Sequence, residues 1–193
     1  LKIDRETGEN IAGALFGLFK AEEKELSEKT AILTAESNDE GIFEFTDVPY
    51  GEYIIRELKP AEGYLPNEEN YQATVSEDEE VIEITVKNDK IPELKTTASI
   101  DGKKEVGATE VFTLEDVVEY KHLVPGKEYT VKGILMDKTT GDPLLIDEKE
   151  IPSETTFTPD EPSGEVLVSF EFDARYIKKD TDIVVFESLY SED

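Results

Sequence analysis

The chain has 193 residues, 47 acidic against 20 basic side chains, a formal net charge of −27, and neither cysteine nor tryptophan. That length allows one large domain or two small ones, and without cysteine no disulfide can hold it together in any compartment. The acidity argues against nucleic acid or an anionic membrane as partner, because phosphate contacts need a positive surface, and no apolar run is long enough to span a bilayer.

The chain opens in a strand, with Lys2 set between Leu1 and Ile3. It carries no signal peptide, sorting signal or lipidation motif, which predicts a piece of a longer protein. Ala21 to Lys29 has helix-forming composition and is read as a short helical turn or a charged loop. Asn38-Asp39-Glu40-Gly41 is a turn candidate. Tyr53-Ile54-Ile55 reads as a strand running into Glu57. Alternate side chains of an extended chain share a face, so Tyr53, Ile55 and Glu57 point the same way. A carboxylate on an inward stripe is costly unless it is paired or neutral. Asn88 closes a similar stripe made by Ile82, Ile84 and Val86. A lysine, a glutamate and an asparagine meeting inside a β-sandwich can form a covalent bond between two side chains.

Asp89-Lys90-Ile91-Pro92 breaks the pattern, which predicts domains at 1–90 and 91–193. Beyond it, Asp101-Gly102 and Thr139-Thr140-Gly141-Asp142 are further turns. Asp116, Val118 and Tyr120 share one strand face, and Ile183, Val185 and Glu187 share another. Short apolar alternations separated by Gly, Asn, Asp and Pro predict an all-β fold of two sandwiches in tandem. The halves show no close repeat, which predicts two different sandwich types. No stretch has the spacing of a calcium loop, so neither a metal nor a cofactor is expected, and the acidity reads as a solubilising, self-repelling surface.

Leu1-Lys2-Ile3-Asp4, Ile11 to Leu18, Asp39 to Phe45, Pro49 to Tyr53, Glu57 with Pro60-Ala61-Glu62-Gly63-Tyr64, and Thr85 to Asn88 follow one another in an order that resembles the Cna protein B-type (SpaA-like) domains of Gram-positive surface proteins and pili. That resemblance implies an isopeptide bond between Lys2 and Asn88, assisted by Glu57. Leu94 to Gly102, Asp116 with Tyr120, Leu123 and Pro125-Gly126, and Val185-Phe186-Glu187 resemble the Thr–Gln ester-bond (VaFE-repeat) domains of bacterial adhesin stalks. There a threonine hydroxyl attacks a last-strand glutamine and ammonia leaves, with an aspartate, a glutamate and a histidine taking part. The matching residues are Thr96, Asp116 and Glu187. The chain departs from that pattern in having no glutamine between Leu94 and Asp193, and its one histidine, His122, does not match.

The expected architecture is therefore two tandem immunoglobulin-like β-sandwiches, the second lacking its last strand and leaving a groove for a complementing C-terminal strand peptide. The implied role is a non-enzymatic, monomeric stalk segment of an extracellular, cell-wall-anchored adhesin or pilus-like protein. Neighbouring stalk domains of the same polypeptide would be its partners, and cross-linking would occur once per molecule. A matrix- or carbohydrate-binding adhesin module is the alternative. A hydrolase is a third class. One histidine without cysteine does not supply a nucleophilic triad, while a carboxylate pair for glycoside hydrolysis stays open on composition alone.

Overall fold

The computed structural model describes residues 1–77, 80–107 and 110–192. They form two units, Leu1–Ile91 and Pro92–Asp193, and strands with turns account for both.

In the first unit, strand β1 (Lys2–Asp4) is followed by β2 (Leu15–Lys20), β3 (Leu33–Glu36), β4 (Gly51–Lys59), β5 (Asn70–Val75) and β6 (Val86–Asn88). Strands β3-β2-β4-β5 make an antiparallel sheet, while β1 and β6 pair in parallel. The core is Phe16, Leu18, Tyr53, Ile55 and Val86, with Ile11 and Ala14 from the loop before β2. The period-two stripe of β4 lies as the sequence dictates: Tyr53, Ile55 and Glu57 are buried and the residues between them are half-buried.

The terminal strands break the usual rule that the inward face is apolar. Lys2 and Asp4 of β1 are buried, as are Val86 and Asn88 of β6. Lys2 lies opposite Val86 and Asp4 opposite Asn88. The stripe expected over Ile82 and Ile84 is shorter in the structure. β6 is a strand only where it pairs with β1, so Ile82 stays exposed and Ile84 packs half-buried on the core. Ala21 to Lys29 is a charged loop, with the Glu23 carboxylate accepting from the Lys24 and Glu25 amides. The turn at Asn38 to Gly41 holds the first strand in place. The Lys2 amide donates to the Gly41 carbonyl at 2.7 Å. Gly41 has φ +70°, and a Cβ there would lie 2.4 Å from the Lys2 carbonyl oxygen. Only glycine meets both demands.

The second unit holds β7 (Glu93–Ile100), β8 (Val111–Lys121), β9 (Tyr129–Asp137), β10 (Leu145–Ile146), β11 (Lys149–Glu150), β12 (Pro152–Phe157), β13 (Gly164–Asp173) and β14 (Ile183–Ser191), with one 3₁₀ turn at Ala174–Tyr176. Two antiparallel sheets, β13-β8-β7 and β12-β9-β14, face each other, and β10-β11 is a small hairpin. Val118, Val131, Leu135, Val168 and Phe170 fill the space between them. On one side the sheets are laced together. Ser153 Oγ donates to the Ser169 carbonyl and Thr155 Oγ1 to the Leu167 carbonyl, linking β12 to β13. The other edge strands are β7 and β14, each paired on one side only among the described residues. His122 sits just past β8 with φ +61°, a turn conformation.

Candidate functional site

In the first unit the three oddly placed polar residues meet. Lys2 Nζ donates to Asn88 Oδ1 and lies 2.9 Å from Glu57 Oε1. Asn88 Nδ2 donates to Glu57 Oε1 at 2.9 Å and Oε2 at 3.0 Å, and to the Leu65 carbonyl at 2.9 Å. Lys2 is fully buried, Asn88 is 2% exposed and Glu57 is 6% exposed. Above them the Phe16 and Phe43 rings stack at 3.8 Å, with Lys2 Nζ 5.7 Å from the Phe16 centroid.

Burial drives the Lys2 ammonium pKa down, and the Glu57 hydrogen bond and charge only partly oppose it. This is the direction that frees an amine lone pair. An amine beside an amide carbonyl, with a carboxyl group touching both nitrogens, can support acyl transfer, because a nucleophile, a proton relay and an acyl group would lie within hydrogen-bond reach.

Three supporting residues escaped sequence reading. The Asn67 backbone amide donates to Glu57 Oε2 at 2.7 Å, and its side chain donates to the Lys87 carbonyl at 2.9 Å. Leu65 contributes a carbonyl. Asp4 anchors the start of the chain, accepting from the Glu6 and Thr7 amides and from the Tyr64 hydroxyl, with Lys90 Nζ 3.2 Å away. Burial alone would raise the Asp4 carboxyl; the Thr7 amide, Lys90 and Tyr64 outweigh it and hold the pKa low. Burial, with Asp4 beside it, pushes Tyr64 up to about 12. Of the aromatic residues in this half, Phe16 lies against the lysine with Phe43 stacked on it, while Tyr64 serves Asp4.

In the second unit Asp116 of β8 is fully buried and Glu187 of β14 has both oxygens buried; none of the four carboxylate oxygens has a hydrogen-bond partner among the described residues. Burial raises the Asp116 carboxyl pKa against the pull of the Thr97 amide and Thr96 hydroxyl, which approach without closing a bond of good geometry. Burial, then the Asp116 charge, pushes Glu187 up to about 7. Glu187 pairs in register with Gly133, where a Cβ would lie 2.6 Å from the Phe170 ring. Thr96 pairs with Val118 and Ala98 with Asp116, so Thr96 is on the Asp116 face, one step along β7. Thr96 itself is exposed, because β7 is an edge.

Fold and sites together define a tandem of β-sandwich domains with polar groups buried inside each. Residues 92–193, more than half the chain, match the family described as T-Q ester bond containing domain, and the chain belongs to it. Residues 1–90 match the SpaA family, described as a prealbumin-like fold domain. No curated protein matches the chain. Among solved structures, BcpA, the major pilin subunit of Bacillus cereus, is similar in fold. It is 17% identical with a TM-score of 0.57, and the match covers 97% of this chain and 65% of BcpA. A bacterial adhesin from Mobiluncus mulieris, described as containing intramolecular disulfide, isopeptide and ester bond cross-links, is 21% identical with a TM-score of 0.45. That match covers 53% of this chain and 45% of the adhesin. The chain thus spans less than two thirds of the length of either.

Proposed function

We propose that the chain is a stalk segment of a Gram-positive surface adhesin or pilus-like protein, and that an internal Lys2–Asn88 isopeptide bond stiffens its first domain. The observation that carries this reading is the buried contact of Lys2, Glu57 and Asn88 between the first and last strands of one sandwich. The Lys2 ammonium gives a proton to Glu57, and the free amine attacks Asn88 Cγ. The Nζ–Cγ bond forms and the Cγ–Nδ2 bond breaks. A second Lys2 proton passes through Glu57 to Nδ2, so ammonia leaves and Glu57 retains one proton. The fold supplies proximity, worth roughly 7–11 kcal/mol of barrier in well-oriented systems. Catalyst and product are the same molecule, so there is one turnover.

The mechanical consequence follows from topology. β1 and β6 run parallel, so a load entering at Leu1 and leaving at Ile91 shears them along their length. A bond from Lys2 to Asn88 carries that load across two residues and leaves the rest of the sandwich outside the force path. Neighbouring stalk domains of the same polypeptide, on an extracellular wall-anchored protein, are the partners this use requires.

The second domain is built for a Thr96 ester, with Asp116 and Glu187 as its proton-handling carboxyls. No glutamine lies in residues 94–193, so its acyl partner comes from outside them. Intact mass tests the core of the reading. The purified chain should weigh one ammonia less than its sequence, and Glu57→Ala should weigh its full sequence mass. A wild-type mass equal to the sequence mass refutes it.

A further inference from the structure

The first domain presents its amide in one orientation only. Asn88 Nδ2 has two hydrogens, and both are taken: one is shared by the Glu57 oxygens at 2.9 and 3.0 Å, the other goes to the Leu65 carbonyl at 2.9 Å. With Glu57 ionised all three partners are acceptors, and the Leu65 carbonyl stays one when Glu57 takes up a proton. A backbone carbonyl cannot donate, and Leu65 cannot turn away, because its own amide donates to the Asp89 carbonyl at 2.8 Å. Two residues on, the Asn67 side chain is tied to the Lys87 carbonyl and its backbone amide to Glu57 Oε2. The segment from Leu65 to Asn67 is thus stitched to β6 on both sides of Asn88.

Resting on the cross-linking reading, we propose that the Leu65 carbonyl is a specificity-determining group of this reaction. With Glu57 it grips the leaving nitrogen, so the site accepts a carboxamide, rejects an ionised carboxylate, and turns Oδ1 toward Lys2. An ionised aspartate at position 88 would put an oxygen against the Leu65 carbonyl with no hydrogen between them, whether or not Glu57 carries a proton. A site built to receive an N–H rejects an analogue lacking it far more strongly than a merely apolar pocket would. The leaving nitrogen takes its third hydrogen from the protonated Glu57 and departs as ammonia, the Cγ–Nδ2 bond breaking as the Nζ–Cγ bond forms.

The test follows bond formation by intact mass during cell-free synthesis of the whole chain. Wild type loses one ammonia and slows as pH falls, because Lys2 is increasingly protonated. Asn88→Asp, which would lose one water instead, is more than about 100-fold slower at neutral pH. Its rate relative to wild type rises on acidification, when its carboxyl gains an O–H that the cradle can accept. A second arm compares two chains that lack the Pro66 ring, Pro66→Ala with its amide and lactic acid at position 66, which makes the 65–66 link an ester. Compared with the Pro66→Ala amide, the ester weakens the Leu65 oxygen as an acceptor and leaves every other side chain the same. It should slow the wild-type reaction and narrow the Asn-over-Asp preference. Asn88→Asp bonding at the wild-type rate at neutral pH, or an unchanged preference in the ester-linked chain, overturns the proposal. Both outcomes differ from a wild type that never loses ammonia, which would refute the cross-link itself.

Discussion

Asp116 on β8 and Glu187 on β14 lie close enough in the second unit for the charge of Asp116 to raise the Glu187 pKa, and neither finds a hydrogen-bond donor among the described residues. Burying one carboxylate without a partner is costly, and burying two side by side is worse. The pair is stable where at least one member is protonated, and the fold holds it that way at a cost. Unsatisfied buried groups of this kind gather at functional sites.

The pH dependence of stability follows. Glu187 has an ordinary value of 4.5 and stands at about 7 in the fold. A raised pKa means the folded state holds the proton more tightly than the unfolded one. The stability this contributes is complete below about pH 4.5 and lost as pH rises through about 7. In calorimetry of the whole chain, the transition of the second unit should fall across that window. Glu187→Gln, uncharged and similar in shape, should flatten this part of the profile. An equal pH slope in wild type and variant would refute the assignment.

A second prediction concerns the anchor at the start of the chain. Asp4 is buried against Tyr64, Lys90 and two amides. Asp4→Ala removes hydrogen bonds to a charged acceptor and should cost about 2–3 kcal/mol in denaturant unfolding. The Asp4 carboxyl is held low, so its contribution is present above the ordinary value of 3.8 and is lost as pH falls below it. Tyr64 should titrate below its present value of about 12 in the variant, because one of the causes holding it up has gone. NMR of the Tyr64 ring can follow this, and an unmoved titration would count against the contact.

The sequence made some of this legible and hid the rest for physical reasons. Lys2, Glu57 and Asn88 could be read because each is a polar residue at a period-two position whose neighbours on the same face are apolar. Asp116 and Glu187 stood out in the same way. Leu65 and Asn67 could not, since they reach Asn88 and Glu57 through a backbone carbonyl and a backbone amide rather than through their side chains. Asp4 begins a turn sequence, Asp4 to Gly8, and a turn aspartate is ordinarily solvated; only the parallel pairing with β6 puts it inside. Thr96 lies on the Asp116 face, yet its exposure could not be read from the strand, because it depends on which strand is the sheet edge. The stripe through Ile82 and Ile84 promised a longer last strand than a three-residue β1 can pair.

Single-molecule pulling should separate the two units. Tethered at both ends, wild type should show no extension from the first unit, since the proposed Lys2–Asn88 bond would bypass it. Glu57→Ala should release its chain, giving an added contour length of roughly 300 Å for the 86 positions enclosed. The same bond should raise thermodynamic stability by about 4–5 kcal/mol on the loop-entropy model. A full-length extension in a wild-type sample already shown to lack one ammonia would mean the bond joins other residues.

The last prediction concerns the edges of the second unit. β12 and β13 are laced together, whereas β7 and β14 each carry a free backbone edge among the described residues. Ile183, Val185 and Leu189 on the inward face of β14 are only half-buried. An edge with unpaired backbone groups beside half-covered apolar side chains is a site for strand addition. A strand peptide carrying a glutamine should add there and bring its amide to Thr96, which is exposed on β7 on the face of Asp116. Thr96 Oγ1 then bonds to the glutamine Cδ, the Cδ–Nε2 bond breaks, and ammonia leaves with the hydroxyl proton relayed through the buried carboxyls. Mass spectrometry should show an adduct one ammonia lighter than the sum of protein and peptide. Alkaline hydroxylamine should cleave it and leave the first-domain bond intact. Thr96→Ala should still bind the peptide but form no adduct, and Glu187→Gln should slow the step. An adduct that persists in Thr96→Ala would assign the nucleophile elsewhere, and one that survives hydroxylamine would rule out an ester.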